Sequence, residues 1–290
     1  MGSGEGFAKT ILFGEHFVVQ GSHAIGASLS KSMKLKIIPA QELSLNIKTG
    51  QIVLDASRTI LDLMGLDGNY FIEVETDIPS GAGLGWSAAY SVALVRAAAE
   101  EKGVELGWEE VAKYAYSGEK IFHGNPSGID NTLASRSGAI LFKRGEEPAL
   151  IALKEPIHLV IAYTGKMGYT KDLVAGVART KEENPEAFSK LLQAVETLIL
   201  EAKNALESGD LDKLGSLMDQ NQKYLRQVGV SSSELEEFIR IFKEEGALGA
   251  KLTGSGGGGC VIGLFRCKKD TEALLERIGN NYLIFEAQIG

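Results

Sequence analysis

DIPSGAGLGWSAAYSVALVR, residues 77–96, decides how the rest of the chain is read. It opens with a proline and small residues and passes Gly81, Gly83 and Gly85. Helical spacing then follows at Ala88, Val92, Val95 and Ala99, with no further glycine until Gly103. A glycine-rich loop feeding a helix leaves several backbone N–H groups free and aims the positive end of the helix dipole at the same place, which suits a phosphate. Ser87 falls in the first turn, where a hydroxyl either caps the helix or faces a metal ion. The same residues also fit a tight turn ahead of a core helix. Other stretches must decide between the two.

Bulk properties narrow the classes. The chain has 290 residues, 44% hydrophobic and 23% charged, enough for a real core in one large domain or two ordinary ones. A net charge of −8 with no basic patch argues against nucleic acid as the main partner, but not against a nucleotide held by backbone donors, a lysine and a metal. Cys260 and Cys267 are the only cysteines, so no disulfide framework is implied and a reducing, cytoplasmic location is expected. No apolar run reaches membrane-spanning length, and MGSGEG reads as a disordered or added tail.

Outward from the central stretch, TILFGEHFVV at 10–19 is two β-type runs broken by Gly14-Glu15-His16. The break is either a hairpin turn or a polar pair aimed into a cleft. Met33, Leu35 and Ile37 alternate with lysines, and LSLNIK and QIVLDA also read as half-buried antiparallel strands, as does YFIEVET at 70–76. Residues 108–122 read as a helix, GNPSGIDN at 124–131 as a polar loop, and AILFK, LIAL and IHLVIAY as strands. Helical patterns cover 171–182, 184–207, 211–227 and 234–245, the last with Ser233-x-x-Glu236 as a capping box and Gly246 as its stop. Strands return around KLTGSGGGGCVIGLF and end with YLIFEAQI. The shift near residue 155 predicts an α+β chain of two lobes, 1–155 and 156–290.

Three sites carry chemistry. Gly254–Gly259 matches G-x-G-x-x-G, yet it runs into the strand-like CVIGLF rather than a helix, so the dinucleotide-binding reading is rejected. So many glycines form either a flexible surface loop or a backbone that closely approaches a ligand or the first glycine loop. Asp130 is an Asx-turn residue or a carboxylate that orients a hydroxyl, and Glu119 is solvated or a metal ligand. Ser87 with Glu119 makes a hard-oxygen Mg²⁺ site completed by waters and phosphates, and Lys9 can neutralise charge. The four histidines read as isolated.

Taken together, AKTILFGEHFVVQGSHAI, IPSGAGLGWSAAYSV and KLTGSGGGGCVI resemble the three motifs of the GHMP small-molecule kinases. EKIFHGNPSGIDN is similar to the loop of the members that phosphorylate mevalonate, and YTKDLVAGV and MDQNQKYL fit the same group. The resemblance runs from about residue 8 to the end. It implies a two-lobed α+β fold with a ferredoxin-like C-terminal lobe, and it implies ATP and Mg²⁺. By position it makes Asp130 the catalytic aspartate and Lys9 the lysine that places the reacting hydroxyl. Gly81, Gly83, Leu84, Gly85, Trp86, Ser87 and Ala88 become the nucleotide loop, and Ser87 and Glu119 the magnesium-associated pair. Glu15, His16, Tyr90, Gly254 and Ser255 fall on the substrate side. The implied acceptor is the 5-hydroxyl of mevalonate. Phosphomevalonate, another hydroxyl of mevalonate, a sugar, or a catalytically silent nucleotide-binding protein are the alternatives, and a homodimer is left open.

The sequence departs from the family pattern in three places. Gly6-Phe7-Ala8-Lys9 stands for the usual Ala-Pro-Gly-Lys, Trp86 stands for a small hydroxyl residue, and the chain is short between the first two motifs. The indole of Trp86 either fills the nucleotide pocket, stacks on the adenine or ribose, or turns against the strand at 70–76. With Ser87 and the backbone donors unchanged, the second and third leave ATP bound.

Overall fold

The chain enters its first strand at once, in the computed structural model that describes residues 1–124, 126–166, 170–278 and 282–290. Strand β1 covers Gly2–Phe13, so the expected tail is part of a sheet. The reason lies in its alternate glycines. A Cβ on Gly2, Gly4 or Gly6 would sit 2.0, 2.1 or 2.1 Å from the carbonyl oxygens of Ala97, Ala93 and Ala89. Those alanines recur every fourth residue on α2 (Trp86–Glu101). Two strand residues advance about 6.8 Å and four helical residues about 6 Å, so the two repeats stay matched over three contacts.

Strand β2 (Ala24–Pro39) follows a 3₁₀ turn at Val18–Gln20, so FVV is a turn and not the second arm of a hairpin. Next come β3 (Ser44–Leu45), α1 (Gln51–Leu63) and β4 (Tyr70–Thr76). Two expectations change here. QIVLDA is the first part of α1, whose buried Val53, Ala56, Ser57, Ile60 and Leu61 keep helical spacing. LSLNIK contributes only β3, which runs parallel to β4 rather than antiparallel. The chain continues with α3 (Trp108–His123) and α4 (Ile129–Ala134), then β5 (Ala139–Phe142), β6 (Ala149–Ile151) and β7 (Ile157–Tyr163). Helices α5 (Thr170–Glu183), α6 (Pro185–Ser208), α7 (Leu211–Gln227) and α8 (Ser233–Glu244) lie where the periodicity placed them. The cap of α8 is Ser232, which accepts from the Leu235 amide, rather than Ser233. Strands β8 (Gly249–Thr253) and β9 (Cys260–Phe265), helix α9 (Lys268–Ile278) and β10 (Leu283–Ile289) close the chain. Helix α9 has no counterpart among the sequence expectations.

The division into lobes at residue 155 remains a proposal. By packing, the chain falls into two compact units, each discontinuous in sequence. The first comprises Met1–Lys9, Ser28–Ser80 and Gly85–Ser137. In it β2 pairs antiparallel with β4, and α1, α3 and α4 surround α2. Helix α2 is buried at Ala88–Val95 and again at Ala97–Ala99, so it has no solvent face to speak of.

The second unit comprises Thr10–Ala27, Gly81–Leu84 and Gly138–Gly290. Its four-stranded antiparallel sheet has the order β10-β7-β9-β8, with every residue of β8 and β9 buried. The glycine device recurs: a Cβ on Gly249 of β8 would lie 2.1 Å from the Gly215 carbonyl of α7. At that separation α7 reaches the free edge of β8. Asp219 Oδ1 accepts from the Ala250 amide at 2.9 Å and Gln222 Oε1 from the Leu252 amide at 3.0 Å. An edge strand inside the protein thereby has its alternate N–H groups satisfied by side chains three apart on one helix face.

Gly4→Ala is expected to lower unfolding free energy in urea by about 2 kcal/mol or more, because its Cβ meets backbone and not a movable side chain. Gly176→Ala in α5, where a Cβ meets nothing among the described residues, is expected to be neutral or to stabilise by up to about 1 kcal/mol.

Candidate active site

In the first unit, Lys9 lies near the N-terminus of α2. Gly85 caps that helix at φ 78°, and a Cβ there would come within 2.7 Å of Lys9 Cγ. Glycine is therefore required twice, for its conformation and for the lysine stem. Lys9 is buried, and its Nζ is 3.1 Å from Asp130 Oδ1. Asp130 itself stands in the first turn of α4, so the expected polar loop gives way to a helix at Ile129, entered through Gly128 at φ 88°. Tyr116 of α3 donates to the Pro126 carbonyl at 3.1 Å and ties down the approach. Asn125 of the GNPSGIDN loop and Tyr169 of YTKDLVAGV lie outside the described residues.

Ser87 and Glu119 are brought together by the packing of α2 on α3. Glu119 is 1% exposed, and burial pushes its carboxyl up to about 7, while the Ser87 hydroxyl bond works in the opposite direction. Its Oε1 finds no hydrogen-bond partner among the described residues. A histidine that sequence reasoning treated as isolated completes the group. His123 Nε2 is 3.1 Å from Ser87 Oγ and 3.7 Å from Glu119 Oε2. The signal was available in the i, i+4 spacing of Glu119 and His123 on one helix. An orphaned, buried carboxylate oxygen beside a serine hydroxyl fits a hard cation that also takes water and phosphate oxygens. Among the described residues there is no cluster of three His, Cys, Asp or Glu that would hold a metal on protein ligands alone.

Two aromatic residues of α2 lie together. Tyr90 is fully buried, with its hydroxyl 2.6 Å from Ser57 Oγ, which gives it the setting of a core residue. Trp86 stacks on the Tyr90 ring at 5.5 Å and 7°, one helical turn on. Ala88 is buried in the same turn.

In the second unit the two glycine loops approach each other. Cβ atoms on Gly254 and Gly259 would lie 4.0 Å from the Gly83 carbonyl and 3.5 Å from the Ala82 carbonyl. Leu84 is buried, while Gly81 and Gly83 are exposed. The loop joining β8 to β9 is tethered by Gly257 N to the Val230 carbonyl at 2.8 Å and by Gly259 N to the Lys166 carbonyl at 2.7 Å. His16 donates through Nε2 to the Ser255 carbonyl at 2.7 Å, because a carbonyl can only accept. Burial lowers the pKa of His16, which favours the neutral ring. Glu15 is buried too. It accepts from Lys251 Nζ and, at 3.2 Å, from Asn221 Nδ2. Glu15 and His16 are thus the polar pair in a buried setting, and neither turns a hairpin.

The class of protein follows. The N-terminal domain model of the GHMP kinases matches residues 51–139 and the C-terminal model matches residues 202–283. A mevalonate kinase of Aeropyrum pernix is 36% identical, the match covering 89% of this chain and 86% of that one. One from Pyrococcus furiosus is 34% identical over 93% and 91% of the two chains. A crystal structure of L. major mevalonate kinase in complex with R-mevalonate superposes with a TM-score of 0.91 at 33% identity, covering 100% of this chain and 96% of that one. The chain belongs to the GHMP kinases, ATP-dependent small-molecule kinases, and within them to the mevalonate kinase family.

Tyr90→Phe tests the core assignment. Losing the bond to Ser57 is expected to cost about 1 kcal/mol in thermal or urea unfolding. The KM for the phosphoryl acceptor should stay within about twofold, and a tenfold rise would return Tyr90 to the substrate surface.

Proposed function

We propose that the protein transfers the γ-phosphoryl group of ATP to the 5-hydroxyl of mevalonate. The observation that carries this reading is the Lys9–Asp130 ion pair, set in one compact unit with Ser87 and the buried Glu119. Phosphoryl transfer has a loose transition state, so the protein's task is positioning and charge compensation. Asp130 accepts a hydrogen bond from the acceptor hydroxyl and takes its proton late, as suits a weak base acting on an alcohol. Lys9 holds Asp130 by charge. Ser87 and Glu119 are the residues that would hold Mg²⁺, which when bound offsets phosphate charge. The glycine loop at 81–88 supplies backbone N–H groups to the phosphates. Trp86, occupied with Tyr90, leaves those donors free to act.

Among the described residues no helix is long and apolar enough to cross a membrane. Both cysteines are free, which fits the proposed cytoplasmic setting. No nucleic-acid partner is proposed, in keeping with the acidic net charge of −8.

An ADP-coupled assay across mevalonate, phosphomevalonate, galactose and homoserine decides the acceptor. Mevalonate should give the highest kcat/KM, and preference for any of the others overturns the assignment. Asp130→Asn should lower kcat by at least ~10²-fold with nucleotide affinity nearly unchanged. Ser87→Ala and Glu119→Ala should each raise the Mg²⁺ concentration for half-maximal rate. Unchanged metal dependence in both would place the metal elsewhere.

A further inference from the structure

Lys251 is fully buried on β8, and nothing in the proposed chemistry uses it. Its ammonium donates to Glu15 and, at 2.6 Å, to the Leu252 carbonyl. Taking both members of an ion pair out of water seldom adds net stability, and an apolar pair of the same volume generally serves a core as well. Burial accordingly lowers the pKa of Lys251, with Glu15 opposing that shift.

Its neighbours show what the pair holds. Lys251 and Thr253 of β8 and the Ser255 carbonyl in the turn that follows are each held by the stretch Thr10–His16. Lys251 pairs with Glu15. Thr253 Oγ1 lies 3.1 Å from the Ile11 amide and 3.0 Å from the Ile11 carbonyl. The Ser255 carbonyl accepts a hydrogen bond from His16 Nε2. Asn221, from α7, adds a bond to the second oxygen of Glu15. The turn leading into this grip has no slack, because a Cβ on Gly14 would meet the His23 carbonyl at 2.6 Å.

We propose that Lys251 is a positioning residue for the acceptor. By holding Glu15 it fixes the turn Gly14–Glu15–His16, and through His16 it sets the start of the loop Gly254–Gly259. The kinetic part of this proposal rests on the reading that His16 and this loop face the acceptor. The structural part does not.

The experiment compares wild type, Lys251→Met, Glu15→Gln and the double variant. In Lys251→Met, amide hydrogen exchange at residues 14–17 and 254–259 should rise about tenfold or more, with β7 and α6 unaffected. The KM for mevalonate should rise about tenfold while that for ATP stays within about twofold. The double variant should regain thermal stability, since no unpaired buried charge remains, yet keep the raised acceptor KM. A merely structural pair would restore both, and that result overturns the proposal. Unchanged exchange in the two segments overturns it as well, as does a parallel rise in both KM values. If Lys251→Met does not fold, Glu15→Gln carries the same measurements. If the wild type fails to phosphorylate mevalonate, the function proposed above falls. The exchange and stability measurements then still decide whether Lys251 sets the turn and the loop.

Discussion

Strand β1 runs along α2 with no side chain between them at Gly2, Gly4 and Gly6, and that separation governs the first unit. It encloses a helix that is apolar on nearly every side, which has no stable place except inside a shell of other elements. It also determines where β1 delivers Lys9, beside Gly85 at the helix N-terminus and within reach of Asp130. The Gly249–Gly215 approach of β8 to α7 does the corresponding work in the second unit. There, close contact lets Asp219 and Gln222 satisfy a strand edge while Asn221 reaches Glu15.

Burial and charge are handled differently in the two units. Lys9 and Asp130 form a pair with one member partly open to solvent, so the carboxylate can meet a ligand. Glu15 and Lys251 are closed off, and their bonds go to each other, to Asn221 and to the Leu252 carbonyl. The first arrangement suits a reacting group and the second suits a support for one. Glu119 stands between these cases, buried yet with an oxygen that finds no partner among the described residues.

Much of the fold was legible because long helices declare themselves. The patterns at 184–207 and 211–227 became α6 and α7 with shifts of a residue or less. Short windows failed. QIVLDA is apolar and β-branched enough over six residues to pass for a strand, and only the longer run to Leu63 exposes the helical spacing. MGSGEG has the composition of a tail, and its role depends on alanines that follow far later in the chain. Of the candidate site, Lys9, Ser87, Glu119 and Asp130 were found as motif residues and lie in one unit. Lys251 gave no signal, since its partner is 236 positions away and a lysine in a strand ordinarily faces water. The core setting of Tyr90 was not legible, because position along a motif does not say how deeply a helix is buried.

The dependence of β1 on α2 has a consequence for synthesis on the ribosome. The strand emerges before the helix, which is complete only at Glu101. At typical elongation rates of about 5–20 residues per second, the glycine face waits roughly 5–20 s for its alanines. Until β2 follows, the segment Gly2–Gly6 presents unpaired strand edge, and its glycines leave it with little apolar surface to aggregate through. The residues that permit the close packing are also those that keep the waiting strand inconspicuous to other chains.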